Sequence, residues 1–469
     1  MTSTSMPPLY RGGRLSSLPI EVKEMIVYWV HHLPSTQQRY YRRHRRKRFQ
    51  KQGDSLPLFD IRSLASVDRT FRQICSFYLY GWLNFSRGAV PRIRFAYQEI
   101  IPRHSHCVKM IWWRGSSPEV YSHTDEVRQK TWDGSGQSSC NSTSRFELFL
   151  EILRACPQIT HLDIDMAKDP SPDGDVRATQ SSSVTKYDYG KMAKFIKPLS
   201  HLTSLTHLSL VPYDKGVFTE IFLVELISNL PQLQSFACSH IDRSATKKLA
   251  DSECYQSSLA VHLASLPHLT RLILKNAYCV NASWSEPNWK SSLEELSLAN
   301  SPLITVAVFH AFTQLFASTL VELEVNNVPC DTYWMEDPTL TLRGPSGGPL
   351  QFELPKLKTL KISTWLPVGF LWAFQASKDL SYLFLQETSF IDYEELVGLI
   401  EDELWPNLKR FQISPETGSL SLDEITELNK SCQKHGVEMN INCNINNGEE
   451  DDSEDSEDSE EEKEEGESD

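Results

Sequence analysis

Much that would mark an enzyme, a membrane protein or a secreted scaffold is missing from this chain. None of its 469 residues fall in a run of about eighteen apolar positions, so no transmembrane helix is expected. Met1 to Leu15 has no apolar core, and no secretory signal is expected there. The 10 cysteines stand at 75, 107, 140, 156, 238, 254, 279, 330, 432 and 443 without one C-x-x-C pair. Free thiols are the expectation, in a cytoplasmic or nuclear setting. No Walker P-loop, G-x-G-x-x-G, G-x-S-x-G or H-E-x-x-H occurs. His104, His106 and Cys107 are the one tight group of metal-ligand types, and with no second pair at a suitable spacing they predict no zinc site. Asp163 and Asp165 share a strand face, but they sit at variable repeat positions and read as surface contacts rather than an acid–base pair. No catalytic constellation emerges, and no cofactor is expected.

The charge is also absent from where a net value of -14 would suggest it. Glu449–Asp469 holds fifteen acidic residues and one lysine, which accounts for the whole excess; the other 448 residues carry 46 acidic and 46 basic side chains. Dense like charge with almost no apolar residue predicts a disordered tail over 448–469.

What is present is a repeated spacing, apolar-x-x-apolar-x-apolar. It is clearest at Leu269/Leu272/Leu274 and returns at Leu205/Leu208/Leu210, Leu293/Leu296/Leu298, Leu320/Leu323/Val325, Leu357/Leu360/Ile362 and Leu380/Leu383/Leu385. Looser copies are Val108/Ile111/Trp113, Ile159/Leu162/Ile164, Leu233/Phe236/Cys238 and Leu408/Phe411/Ile413. The last two apolar positions are two apart and point to one face of a short strand. Such a strand buries its apolar face only by stacking on copies of itself, which is the logic of a solenoid. From Leu269 the successive steps are 24, 27, 37, 23 and 28 residues.

This pattern resembles the leucine-rich repeat, over roughly residues 105–445. It departs from that family in lacking an Asn or Cys eight places after the first Leu; Asn276, Asn300 and Asn327 fall one place early, so a regular asparagine ladder is not expected. The expected fold is α/β, an irregular solenoid over 86–447 with a parallel concave sheet. Helices are predicted over Arg145–Ala155, Val217–Leu230, Leu259–Leu266, Ile304–Phe316, Tyr393–Leu404 and Leu422–Lys434, with capping-box spacing at Ser144/Glu147 and Ser421/Glu424. Val437, Met439 and Ile441 alternate and predict a closing strand. Gly115–Asn141, Lys168–Ser183 and Asp337–Pro349 read as loops.

Residues 1–14 read as a disordered lead, and 15–85 as a separate helical unit. Leu18-Pro19 precedes Val22, Met25 and Ile26, and a second apolar series runs through Leu64, Val67, Phe71, Ile74 and Cys75 to Leu83. The order of these anchors resembles an F-box, the small helical module that docks the Skp adaptor of cullin–RING ubiquitin ligases. The resemblance implies that Leu18, Pro19, Val22 and Ile26 contact the adaptor, and that Leu64, Val67 and Phe71 share in the module's core and adaptor surface. An insertion at 34–57 departs from the family and contains Arg39–Lys51, eight of whose thirteen residues are Arg or Lys. That run fits nuclear import, phosphate binding, an acidic partner or plain solvation.

Taken together, the resemblances imply a non-catalytic substrate-recognition subunit of an SCF-type ligase, with the repeats holding an unknown protein substrate. The mixed acids, bases and aromatics on the predicted concave face suit a protein rather than nucleic acid or membrane. Arg271, Lys275, Tyr382, Phe384 and Arg410 are the expected substrate anchors. Ser459, followed by three Glu, resembles an acidophilic-kinase site, and phosphate there would extend the pattern to Ser456 and Ser453. The alternative is an acidic-tailed leucine-rich nuclear protein that binds histones or other basic partners without a ligase.

Overall fold

The computed structural model describes residues 15–32, 61–85, 90–114, 145–166, 189–212, 217–242, 256–327, 350–363, 368–386, 393–414 and 420–441. The predicted lead, the insertion with Arg39–Lys51, the three loops, Ser144 and the tail with Ser453, Ser456 and Ser459 lie outside the described residues.

One parallel sheet runs the length of the repeats. Its strands are β1 (Trp82–Asn84), β2 (Met110–Arg114), β3 (His161–Asp165), β4 (His207–Val211), β5 (Phe218–Thr219), β6 (Ser235–Asp242), β7 (Arg271–Ala277), β8 (Glu295–Ala299), β9 (Glu322–Asn326), β10 (Thr359–Ser363), β11 (Tyr382–Gln386), β12 (Arg410–Ser414) and β13 (Glu438–Ile441). They pair in chain order, except that short β5 attaches to the end of β6. The sheet is open.

The register follows the sequence pattern. Ile111, Leu162, Leu208, Phe236, Leu272, Leu296, Leu323, Leu360, Leu383 and Phe411 stand side by side on successive strands. The second column, two residues on, is Trp113, Ile164, Leu210, Cys238, Leu274, Leu298, Val325, Ile362, Leu385 and Ile413. Both columns are buried in one continuous core. The predicted closing strand is β13, whose Met439 and Ile441 extend the two columns.

Chain length between strands decides what covers the convex side. Intervals of 27 and 28 residues accommodate the α-helices Val306–Gln314 and Tyr393–Glu401. Among the described residues, the intervals of 24 and 23 residues carry 3-10 turns in place of an α-helix, Ala282–Ser285 and Val368–Phe374. Large rings fill the space that a shorter helix leaves. Trp284 and Trp289 pack on Phe312, and Phe352 stacks on Phe374 with centroids 4.3 Å apart. Helices Arg145–Ala155 and Leu422–Lys434 match their predicted bounds, and Ser421 with Glu424 forms the complete capping box.

Several elements differ from expectation, among them the predicted Val217–Leu230 helix, which spans Glu220–Ile227 behind the short strand β5. Leu83 lies in β1, not in a continuing helix, because from Gly81 onward the backbone pairs with β2. A Cβ at Gly81 would come within 2.3 Å of the Phe77 carbonyl oxygen, and the Gly81 carbonyl accepts from Lys109 and Met110, both at 2.9 Å. Tyr189–Ser200 is a helix despite Pro198 in its last turn; burial of Phe195 and Leu199 outweighs the missing donor. Helical segments also fill Val90–Cys107, with Ile93, Ala96 and Ile101 buried.

The early asparagines form a ladder of their own. His240, Asn276, Asn300 and Asn327 occupy the same position past the start of β6 to β9, and all have positive φ, between 45° and 57°. Asn is among the few non-glycine residues that tolerate this left-handed bend. Asn327 Nδ2 donates to Asn300 Oδ1 at 2.9 Å, and Asn276 Nδ2 meets His240 Nε2 at 3.1 Å.

Candidate functional site

Ahead of the sheet stands a helical module: α1 (Ile20–His32), α2 (Ile61–Ala65) and α3 (Arg69–Tyr80). It has its own small core of Val27, Leu64, Phe71 and Cys75, separate from that of the solenoid. Lys23 joins this core as a buried cation. Its Nζ lies 2.8 Å from Asp68 Oδ2, donates to the Ser16 carbonyl at 2.9 Å and sits over the Phe71 ring. Asp68 caps α3 by accepting from Phe71 N–H at 2.8 Å. Lys23, then that backbone donor, holds the Asp68 carboxyl below its ordinary value.

The expected adaptor residues divide by depth. Leu64 and Phe71 are buried, so they support a surface from beneath. Leu18, Val22 and Ile26 are half-buried, and Pro19 and Val67 are exposed. Met25 and Tyr28, three apart, share the α1 face roughly opposite Lys23 and Val27. Among the described residues, six of the fourteen exposed large hydrophobic side chains (Leu15, Ile20, Met25, Tyr28, Val67 and Phe77) belong to this module. The far longer solenoid supplies the other eight, so exposed apolar surface is concentrated at the N-terminal end.

The module joins the sheet through rings. Tyr80 stacks on His104 at 4.4 Å, Phe77 meets His106 edge-on, and Cys107 Sγ lies 3.3 Å from His106 Nε2. The tight His/Cys group of the sequence is thus part of this joint. Among the described residues, no group of three His, Cys, Asp or Glu side chains is placed to hold a metal ion.

On the open face of the sheet, the expected substrate anchors are not brought together. Arg271 and Lys275 on β7 lie four strands from Tyr382 and Phe384 on β11, roughly 19 Å at about 4.8 Å per strand. Most are already engaged with the next strand: Arg271 Nε with Glu295 Oε1 at 2.8 Å, Arg410 Nε with Glu438 Oε2 at 3.3 Å, and Tyr382 OH with Gln412 Oε1 at 2.9 Å. Lys275 is exposed and Phe384 half-buried. Between these ends Lys361 pairs with Glu322; burial would lower its pKa, but Glu322, with Glu324 and Glu295 nearby, raises it.

The sequence did not single out the hollow at the other end of the face. It has a volume of about 380 Å³ over β1 to β7. Ser209, Ser235 and Ala237 form its low floor, between a ridge of Trp82, Met110 and Trp112 and another of Arg271 and Ile273. His161 and His207, neighbours on β3 and β4, stack in it with centroids 3.9 Å apart. The sequence signal was a repeated Thr-His-Leu, at 160–162 and 206–208. Thr160 Oγ1 donates to the Lys109 carbonyl at 3.2 Å, and Thr206 Oγ1 to the Thr160 carbonyl at 3.0 Å. Each threonine oxygen also lies within hydrogen-bond distance of the neighbouring histidine Nδ1, at 2.9 and 2.8 Å, with the direction set by the histidine tautomer. Burial lowers both histidine pKa values, keeping the rings neutral near pH 7. Burial likewise raises that of Asp163, with the Ser209 hydrogen bond opposing and Asp165 adding to the rise. Asp165 itself lies 3.2 Å from Arg114 Nε, as a charge contact without hydrogen-bond alignment.

No family model matches the chain, and no curated protein matches it in sequence. Among solved structures, the complex of Rad7 and Elc1 from yeast matches it at 16% identity, over 62% of this chain and 70% of that chain, with a TM-score of 0.33. A likeness of this size says nothing of partners or activity.

Proposed function

We propose that this chain is the substrate-recognition subunit of an SCF-type cullin–RING ubiquitin ligase, with residues 15–80 docking the Skp adaptor and the sheet face holding a protein substrate. The observation that carries the reading is the concentration of exposed apolar side chains on a helical module with its own core, fused directly to a parallel solenoid. A module that served only to cap the solenoid would turn those side chains inward. The order of the anchors Leu18, Pro19, Val22, Ile26, Leu64, Val67 and Phe71 fits an F-box, and Leu64 and Phe71 would set the shape of the docking surface without touching the adaptor. In this reading the chain has no chemistry of its own, and ubiquitin transfer belongs to the assembled ligase.

Capture by the Skp adaptor tests it. Pro19→Ala combined with Met25→Asp alters exposed positions, so the fold should survive. Truncating interface anchors commonly costs about 2 kcal/mol each, and the pair should lose more than tenfold in affinity. Undiminished capture by this variant, or no capture by the unaltered chain, would refute the proposal. In the latter case the acidic-tailed binder of basic proteins becomes the reading to pursue.

A further inference from the structure

Resting on the reading that the sheet face receives a protein, we infer that the hollow over β1 to β7 seats one arginine side chain from an extended segment of that protein. The charge the hollow offers a guest without a paired cation is the half-buried Asp163 carboxylate, beside the stacked rings of His161 and His207. The cation on its lining, Arg271, is held by Glu295 at 2.8 Å. An anionic guest would be set against the Asp163 carboxylate, and a purely apolar guest would bury Asp163 without a cation. A guanidinium satisfies both conditions, because its planar fork of N–H donors can reach several acceptors at once.

The walls agree with the floor. Trp112 and Asp163 stand on adjacent strands at the same register position, so a cation drawn to the carboxylate passes the indole face. Trp82, about half exposed at 55%, and Met110, at 41%, extend the apolar wall toward the N-terminal edge of the sheet. Ser209, Ser235 and Ala237 keep the floor low enough for a side chain to enter. Asp163 has no cation paired with it among the described contacts, whereas its neighbour Asp165 has Arg114.

The test uses the full chain and short fluorescent Gly/Ser peptides that differ only in their central residue: arginine, citrulline, lysine, phenylalanine or glutamate. Fluorescence anisotropy at low salt should rank arginine first and lysine second. Citrulline keeps the shape and removes the charge; losing that charge-assisted contact should weaken binding about tenfold or more. Asp163→Asn and Trp112→Ala should each weaken the arginine peptide by a similar factor, with unchanged circular dichroism. Lys430→Ala, exposed on the helix Leu422–Lys434 away from the hollow, should leave it unaltered. Citrulline equal to arginine, a preference for phenylalanine or glutamate, or insensitivity to Asp163→Asn would each overturn the assignment. Adaptor capture is measured on the same preparation. Arginine selectivity without capture supports the site and removes the ligase; capture without selectivity overturns the site alone.

Discussion

Truncating Leu272 to alanine should unfold part of the solenoid far more readily than removing the arginine beside it. Leu272 is fully buried between Phe236 and Leu296, which are fully buried themselves. Leu272→Ala removes three carbons; at about 0.8 kcal/mol each the transfer loss is roughly 2.4 kcal/mol. Adjacent strands hold their spacing through backbone hydrogen bonds, so the gap cannot close fully, and the cavity brings the expected cost to about 3–4 kcal/mol. Arg271 is the next residue, but its ion pair with Glu295 is half-exposed. Arg271→Ala should therefore cost at most about 1 kcal/mol. Urea unfolding, followed by far-ultraviolet circular dichroism and by tryptophan fluorescence, reads both. Two probes are needed because repeat arrays can lose cooperativity. Leu272→Ala within about 1 kcal/mol of Arg271→Ala would refute the assignment of the apolar column to the core.

Other expectations concern the bends, the joint and the module. Asn300→Ala should cost about 1 kcal/mol in thermal or urea unfolding and Asn300→Gly much less, because the position has φ 50°. Gly81→Ala forces a Cβ against the Phe77 carbonyl oxygen and should destabilise the chain by about 1–3 kcal/mol, read as a lowered urea midpoint. Asp68 has a folded pKa below its ordinary 3.8, so its stabilising effect is complete above that value and disappears as pH falls through the folded one. An acid titration of helicity in Asp68→Asn should lack that contribution, and a curve identical to that of the unaltered chain would count against the Lys23–Asp68 pair.

The parts of this fold legible in the sequence were those fixed by periodicity. Leucines two apart, such as Leu272 and Leu274, have one way to be buried on a strand, and each stacked copy repeats the choice. Leu83 was misplaced because an apolar residue after Leu79 continues helical spacing; that the Gly81 carbonyl is taken by Lys109 and Met110 is visible only in the fold. Pro198 hid a helix whose burial outweighs one missing donor. Asn276, Asn300 and Asn327 were visible but measured against another repeat's asparagine, so their left-handed bend went unread. Of the candidate sites, the depth of Leu64 and Phe71 could follow from the pattern. The hollow could not, because it depends on which side chains are small on neighbouring strands. Aromatic and arginine residues drew the choice to Arg271, Tyr382 and Arg410, where each is engaged with the next strand.

Hydrogen–deuterium exchange of the full chain with and without the Skp adaptor separates docking on the helical module from docking on the sheet. A complex should form in which the adaptor protects Pro19–Tyr28 and the Val67–Phe77 region and leaves the strands from β3 to β12 unchanged. No complex, or protection on the sheet with none on the helical module, would contradict it.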